Sequence, residues 1–87
     1  MISSVTDSNF SSIKQRFGKA VRRRRRELDF SQEYLAELAG LHRTYISNLE
    51  RGMINPTLEN MKRLAKGLEI SLAQLLIEYR VEEEDRE

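Results

Sequence analysis

The sequence predicts a compact all-α domain of five helices, with a helix-turn-helix formed by the second and third. Apolar residues recur at intervals of three and four, and no segment alternates between apolar and polar residues as a strand would. Residues that begin or end helices, such as Ser31, Gly40, Gly52 and Ser71, interrupt this pattern. The chain of 87 residues suits one domain with a modest hydrophobic core.

The first helix is predicted at about residues 12–28 and the second at about residues 32–39. Along the first helix, one apolar stripe contains Ile13, Phe17, Ala20, Val21 and Leu28. The apolar residues of the second helix are Leu35, Ala36, Leu38 and Ala39. Ser31 can accept a hydrogen bond from the first turn of the second helix, and Gly40 suits the left-handed conformation in which helices end.

The remaining helices are predicted at about residues 43–51, 58–67 and 72–79. Gly52 suits the end of the third helix, and Thr57, which follows Pro56, can cap the fourth. Ser71 and Gln74 have the spacing of a capping box at the start of the fifth helix. The apolar residues of these three helices are Ile46, Leu49, Leu58, Met61, Leu64, Ala65, Leu68, Leu72, Leu75 and Leu76.

The predicted domain therefore covers residues 12–79. Residues 1–11 are polar, and we expect them to form a flexible N-terminal segment. Residues 80–87, RVEEEDRE, are predicted to be a disordered acidic tail that extends into solvent or lies against the basic first helix.

The net charge of +1 is unevenly distributed along the chain. Residues 1–30 contain eight Lys or Arg and three Asp or Glu, whereas residues 77–87 contain two and six. Because the N-terminal part is basic, an anionic partner is favoured there, and the acidic end should lie away from that partner.

Several classes of site are unsupported by the sequence. The absence of cysteine excludes disulfides and thiolate metal sites. No nucleophile–base pair, carboxylate pair or phosphate-binding glycine loop is evident, so we expect no enzymatic activity, cofactor or small-molecule ligand. The single histidine, His42, lacks companions for a metal or catalytic site. There is no long apolar run or signal peptide, so the protein is expected in the cytoplasm and not in a membrane.

The third helix has one polar face and one apolar face. On a helical wheel, Tyr45, Ile46 and Leu49 lie opposite a polar set formed by Arg43, Thr44, Ser47, Asn48 and Arg51. Arginine can donate two hydrogen bonds to guanine, asparagine can pair with adenine, and hydroxyl groups can contact several bases. The second and third helices are short and joined by a few residues around Gly40, which is the layout of a helix-turn-helix. The alternative interpretation is that this polar set forms an ordinary solvated helix face.

The stretch SQEYLAELAGLHRTYISNLERGMINPTLENMKRLAKGL resembles the helix-turn-helix of the phage repressor/Cro type, also called the Xre family. The segment LHRTYIS is also similar to the small controller proteins of restriction–modification systems. The resemblance covers about residues 12–76 and implies a lambda-repressor-like DNA-binding domain.

The resemblance also implies roles for individual residues. It assigns base contacts to Arg43, Thr44, Ser47 and Asn48, and phosphate contacts to Gln32, Tyr45, Arg51 and Asn55. It pairs Arg25 with Glu50 in an ion pair that joins the first and third helices. His42 departs from the pattern, because many members have a serine or a similar cap at this position.

The run Arg22 to Arg26 is predicted to serve more than one purpose, because five consecutive helical residues cover about 400° of arc. Arg24 lies near the centre of the apolar stripe, and we expect its methylenes along the core with the guanidinium turned outward. Arg22, Arg23 and Arg26 point away from the stripe. Two interpretations stay open for these three residues: they form a solvated run of charges, or they provide nonspecific attraction to phosphate.

The function implied is that of a bacterial, nucleoid-associated transcriptional regulator that binds a palindromic operator in double-stranded DNA as a homodimer. Candidate interface residues are Leu76, Ile77 and Tyr79, with purely intramolecular packing as the alternative. Whether such a regulator blocks or recruits RNA polymerase stays open. An antitoxin that binds a toxin protein and its own promoter is a second hypothesis, and a protein-interaction module is a third.

Overall fold

The computed structural model describes residues 12–82, which form five α-helices and no strand. The helices are α1 (Ile13–Glu27), α2 (Gln32–Ala39), α3 (Arg43–Glu50), α4 (Leu58–Gly67) and α5 (Leu72–Glu78). The predicted all-α fold is confirmed. The predicted bounds of α1 differ by one residue at both ends, and those of α3 and α5 by one residue at the C-terminal end, because Ser12, Leu28, Arg51 and Tyr79 are caps. The predicted flexible segment 1–11 and tail residues 83–87 lie outside the described residues.

Four of the helices begin with a hydroxyl cap. Ser12, Ser31, Thr57 and Ser71 each accept a hydrogen bond from the backbone N–H three residues later. The reciprocal capping box predicted at Ser71 is only half formed, because the Gln74 side-chain oxygen lies 3.5 Å from the Ser71 hydroxyl instead of accepting the backbone N–H. A complete capping box occurs at Ser12, whose N–H donates to Gln15 Oε1 at 2.9 Å.

Each of the five helices in residues 12–82 ends at a residue with a left-handed backbone conformation. The sequence predicts this conformation only for Gly40 and Gly52. The other three are Asp29, Glu69 and Arg80, with φ of 63°, 60° and 56°. In each case the next residue donates its N–H to a carbonyl five residues earlier, as from Phe30 to Arg25. These hydrogen bonds offset a conformational cost of about 1–2 kcal/mol per residue.

The core receives side chains from every helix and also from Val81, three residues beyond the end of α5. Its members are Phe17, Ala20, Val21, Leu35, Ala36, Ala39, Ile46, Leu49, Leu64, Ala65, Leu68, Leu75 and Val81. Val81 is 1% exposed, and its carbonyl accepts a hydrogen bond from Arg16 Nε at 2.7 Å. The predicted start of the tail at residue 80 is therefore wrong, since Val81 belongs to the folded domain.

Some residues of the predicted apolar stripes lie on the surface. Ile13 is 55% exposed, Leu38 is 45% exposed and Leu58 is 73% exposed. Helical periodicity identifies the face of a helix that packs against its neighbour. Whether a given residue on that face is buried depends on where the neighbouring helix ends.

Helix α1 crosses the end of α3 at Gly18. A Cβ atom on Gly18 would lie 2.2 Å from the Leu49 carbonyl oxygen and 3.0 Å from that of Glu50. The two backbones can approach this closely only because residue 18 has no side chain. This crossing, which the apolar pattern does not predict, sets which α1 residues face α3.

Arg24 does not extend its guanidinium into solvent as predicted. Its Nε donates to the Leu68 carbonyl at 2.9 Å and its Nη2 donates to the Glu69 carbonyl at 3.2 Å. These carbonyls belong to the C-terminal end of α4, where the helix dipole favours a cation. The prediction of an outward guanidinium is therefore corrected, and Arg24 joins α1 to α4.

Tyr79 joins the end of α5 to α1 of the same chain. Its hydroxyl donates to Glu27 Oε1, and the Arg23 guanidinium lies 5.4 Å from the ring centroid. Burial and the hydrogen bond to Glu27 raise the pKa of the Tyr79 phenol above its ordinary value near 10. The phenol therefore stays protonated at neutral pH and keeps donating to Glu27. This contact agrees with the intramolecular alternative for Tyr79.

Candidate nucleic-acid interface

Helices α2 and α3 are joined by a tight turn that presents α3 at the surface. Gly40 has φ of 71°, and the Leu41 N–H donates to the Ala36 carbonyl at 2.9 Å. Ile46 and Leu49 are buried, so α3 is anchored along its apolar face. This is the geometry of a helix-turn-helix, in which the second helix can enter the major groove of DNA.

The polar face of α3, here called the recognition face, consists of Arg43, Thr44, Ser47, Asn48 and Arg51. Arg43, Thr44 and Arg51 are exposed, whereas Ser47 and Asn48 are half-buried. The Arg51 guanidinium donates to Asn48 Oδ1, so these two side chains are linked. The recognition face therefore presents donors and acceptors to solvent as predicted from the helical wheel.

The start of α3 differs from the starts of the other helices of residues 12–82. His42 occupies the N-cap position and makes no side-chain capping hydrogen bond. The first-turn N–H groups of α3 are consequently left for solvent or for a ligand.

The ion pair between Arg25 and Glu50 connects α1 to the buried side of α3. Arg25 Nε lies 2.7 Å from Glu50 Oε2, and Arg25 Nη2 lies 3.0 Å from Oε1. Gln32 Nε2 also donates to Glu50 Oε1 at 3.0 Å, and Arg25 Nη1 donates to the Phe30 carbonyl at 2.8 Å. The side chains of Arg25 and Glu50 are 11% and 3% exposed. This network ties α1 and the start of α2 to the end of the recognition helix.

The structure separates the four residues assigned to phosphate contacts. Gln32 and Arg51 lie near Ser47 around one hollow. Asn55 is exposed on the loop before α4, beside a different groove that Ile13 also lines. Tyr45 is half-buried, and its hydroxyl accepts a hydrogen bond from Asn60 Nδ2 at 3.2 Å.

Two residues outside the predicted site lie next to it. Arg22 and Arg26 of α1 line the same hollow as Gln32, Ser47 and Arg51, and the Arg25–Glu50 pair completes its wall. We call this feature the arginine hollow. The i, i+4 spacing of Arg22 and Arg26 is visible in the sequence, but the direction in which they point depends on the contact at Gly18.

Within residues 12–82, no cluster of three or more His, Cys, Asp or Glu residues has the arrangement of a metal site. In the same part of the chain, no helix has the length and apolar character needed to cross a membrane.

Comparison with known proteins identifies the family. A family model described as helix-turn-helix matches residues 21–75, which is more than half of the chain.

The chain belongs to the helix-turn-helix family.

Within the helix-turn-helix family, similar proteins are controllers of restriction–modification systems. The control protein C.SmaI of Serratia marcescens is 46% identical over 70 residues, covering 80% of this chain and 83% of that protein. The crystal structure of the restriction–modification controller protein C.AhdI of Aeromonas hydrophila has a TM-score of 0.69 and 40% identity, covering 71% of this chain and 94% of that one.

A third relative in the helix-turn-helix family was solved with DNA. The structure of the C.Esp1396I controller tetramer in complex with its natural 35 base-pair operator has a TM-score of 0.72 and 33% identity. The match covers 79% of this chain and 95% of that one. These comparisons confirm both resemblances predicted from the sequence, to the Xre-type family and to controller proteins.

Proposed function

We propose that this protein is a transcriptional regulator of the restriction–modification controller type, which binds a palindromic operator in double-stranded DNA as a homodimer. It acts in the bacterial cytoplasm, in association with the nucleoid, and has no enzymatic activity and no cofactor. The observation that carries the proposal is the recognition face, which is exposed on a helix held in place by buried Ile46 and Leu49. The family of the chain and its similarity to controller proteins support the same function.

Base recognition is assigned to Arg43, Thr44, Ser47 and Asn48. Arg43 can donate to O6 and N7 of guanine, and the two hydroxyl groups can donate or accept. Asn48 can pair with adenine through both amide atoms only when Arg51 releases its Oδ1. Release of Asn48 would leave the Arg51 guanidinium to bind a phosphate, so base and phosphate contacts are coupled on this face.

Phosphate contacts are assigned to Gln32, Tyr45, Arg51 and Asn55. The Gln32 side-chain amide already donates to Glu50, so we assign its phosphate contact to the backbone N–H at the start of α2. Contacts to phosphate set the orientation of the domain on the duplex, whereas contacts to bases provide sequence preference.

The dimer is assigned to the outer surface of α5. Ile77 is 74% exposed and Leu76 is half-buried beside it, which leaves apolar surface for a second copy. Tyr79 is bonded to Glu27 of its own chain, so it would contribute only its remaining exposed part. Twofold dimers of this kind place two recognition helices about 34 Å apart, which is one turn of DNA.

Replacing Arg43 with alanine is expected to weaken binding to the operator by about 1–3 kcal/mol per half-site and to relax the base preference at one position in each half-site. The operator would first be identified by selecting bound duplexes from a random pool. Fluorescence anisotropy titrations of both proteins would then compare the selected duplex with a scrambled one. An equal loss on the scrambled duplex would exclude base recognition by Arg43.

Replacing Ile77 with glutamate is expected to weaken self-association by about 3 kcal/mol, which is about 100-fold in the dissociation constant, because a carboxylate would be buried against the second copy. Sedimentation velocity over a concentration series measures this change. Leu58→Glu is a matched control, since Leu58 on α4 is 73% exposed. Unchanged association in the Ile77 variant would place the dimer interface elsewhere.

A further inference from the structure

Two arginines of α1 lie beside the recognition face, although the sequence leaves open for them only a solvated charge run or nonspecific attraction to phosphate. Arg22 and Arg26 are exposed, are separated by one helical turn, and line the arginine hollow together with Ser47 and Arg51 of α3. The close approach of α1 and α3 at Gly18 and the Arg25–Glu50 ion pair hold this side of α1 toward α3.

The arginine hollow carries an excess of positive charge. Its one carboxylate, Glu50, is neutralised by Arg25 at 2.7 Å, so Arg22, Arg26 and Arg51 contribute three further cations. Within residues 12–82, neither Arg22 nor Arg26 forms an ion pair. Like charges at i and i+4 repel one another, so an anion in the hollow would stabilise this arrangement.

We propose that Arg22 and Arg26 bind backbone phosphates of the operator strand that borders the major groove entered by α3. The planar guanidinium matches phosphate oxygens and stays charged, which suits it to this contact. Because Ser47 lies on the recognition face and also lines the hollow, a base contact at Ser47 would bring the adjoining phosphates to these arginines. This inference rests on the proposed function and adds α1 to the DNA-binding surface.

The neighbouring arginines of the run face other partners. Arg23 lies over the Tyr79 ring and 3.4 Å from Glu27, on the side of α5. Arg24 binds the carbonyls at the end of α4. Arg23 therefore provides a matched control, because it has the same charge on the same helix and lies between the two proposed phosphate-binding turns.

The test compares Arg22→Ala, Arg26→Ala, their double variant and Arg23→Ala with the parent protein. Affinity for a duplex selected from a random pool would be measured by fluorescence anisotropy between about 50 and 200 mM salt. We expect the slope of log K against log salt to become shallower by about 0.9 for each phosphate that is no longer neutralised. Because each substitution occurs twice in a dimer, this is about 1.8 for each single variant and about 3.6 for the double variant. Binding to a scrambled duplex should weaken by the same factor, and Arg23→Ala should keep the parental slope.

The possible outcomes distinguish failure of the proposed function from failure of this inference. If the parent protein binds no duplex selectively, both the proposed function and this inference are overturned. If the parent binds selectively while the double variant keeps the parental slope, the inference alone is overturned. The inference also fails if Arg23→Ala changes the slope as much as Arg22→Ala does, because general attraction of the α1 charges would then explain the effect. A cooperative thermal transition above the assay temperature confirms that each variant is folded.

Discussion

Replacing Glu50 with alanine is expected to destabilise the fold by about 3–5 kcal/mol, because Arg25 would remain as a buried charge without its partner. The Arg25 side chain is only 11% exposed, and both of its hydrogen bonds to Glu50 would be removed. Gln32 would lose its acceptor at the same time. The native states of small domains are stabilised by about 5–15 kcal/mol, so this substitution removes a large part of the stability.

Urea denaturation followed by circular dichroism would measure the destabilisation. Arg25→Ala should have an effect of similar size, since it leaves Glu50 buried and unpaired. Arg23→Ala is the matched control, because its ion pair with Glu27 is exposed and such pairs contribute at most about 1 kcal/mol. Equal shifts for Arg25→Ala and Arg23→Ala would contradict a structural role for the buried pair.

A double variant separates the effect of the ion pair on stability from its effect on the position of α3. Replacing both members, as Arg25→Met with Glu50→Leu, removes the stranded charge and should recover most of the stability. Operator binding by this variant should stay weaker than that of the parent, because Gln32 and the end of α3 would no longer be tied to α1 by the ion pair.

Replacing Gly18 with alanine is expected to destabilise the protein by about 3 kcal/mol, even though alanine favours helices by about 1 kcal/mol over glycine. The new Cβ would lie 2.2 Å from the Leu49 carbonyl oxygen, which belongs to the backbone of α3 and cannot rotate away. Helix α1 would have to move from α3, which would also separate Arg25 from Glu50.

Gly67→Ala is the matched control for this experiment. A Cβ at Gly67 in α4 would lie 3.1 Å from Leu35 Cδ1, so a side-chain methyl group would have to shift by only a few tenths of an ångström, whereas the contact at Gly18 is with backbone. We expect the unfolding free energy of this variant to stay within about 1 kcal/mol of the parent. If both alanine variants unfold at the same urea concentration, the close crossing of α1 and α3 is not a determinant of stability.

The sequence by itself determined the helices and the character of the recognition face, because both depend on neighbouring residues. Periodic apolar residues and hydroxyl caps act within one or two turns, so they define α2 and α4 to the residue. The polar set from Arg43 to Arg51 follows from the 3.6-residue repeat alone. The left-handed backbone of Asp29, Glu69 and Arg80 was not predicted, because it is stabilised by backbone hydrogen bonds from the following residues and not by residue type.

Apart from the Arg25–Glu50 pair, which the family resemblance implies, only the tertiary structure decided what the arginines of the run contact. The contact at Gly18 sets the rotation of α1, and this rotation directs Arg23 to α5, Arg24 to α4 and Arg25 to α3. The same rotation brings Arg22 and Arg26 to the arginine hollow. A run of identical residues contains no local signal that distinguishes its members, so their partners are set by residues that are distant in the chain and close in space.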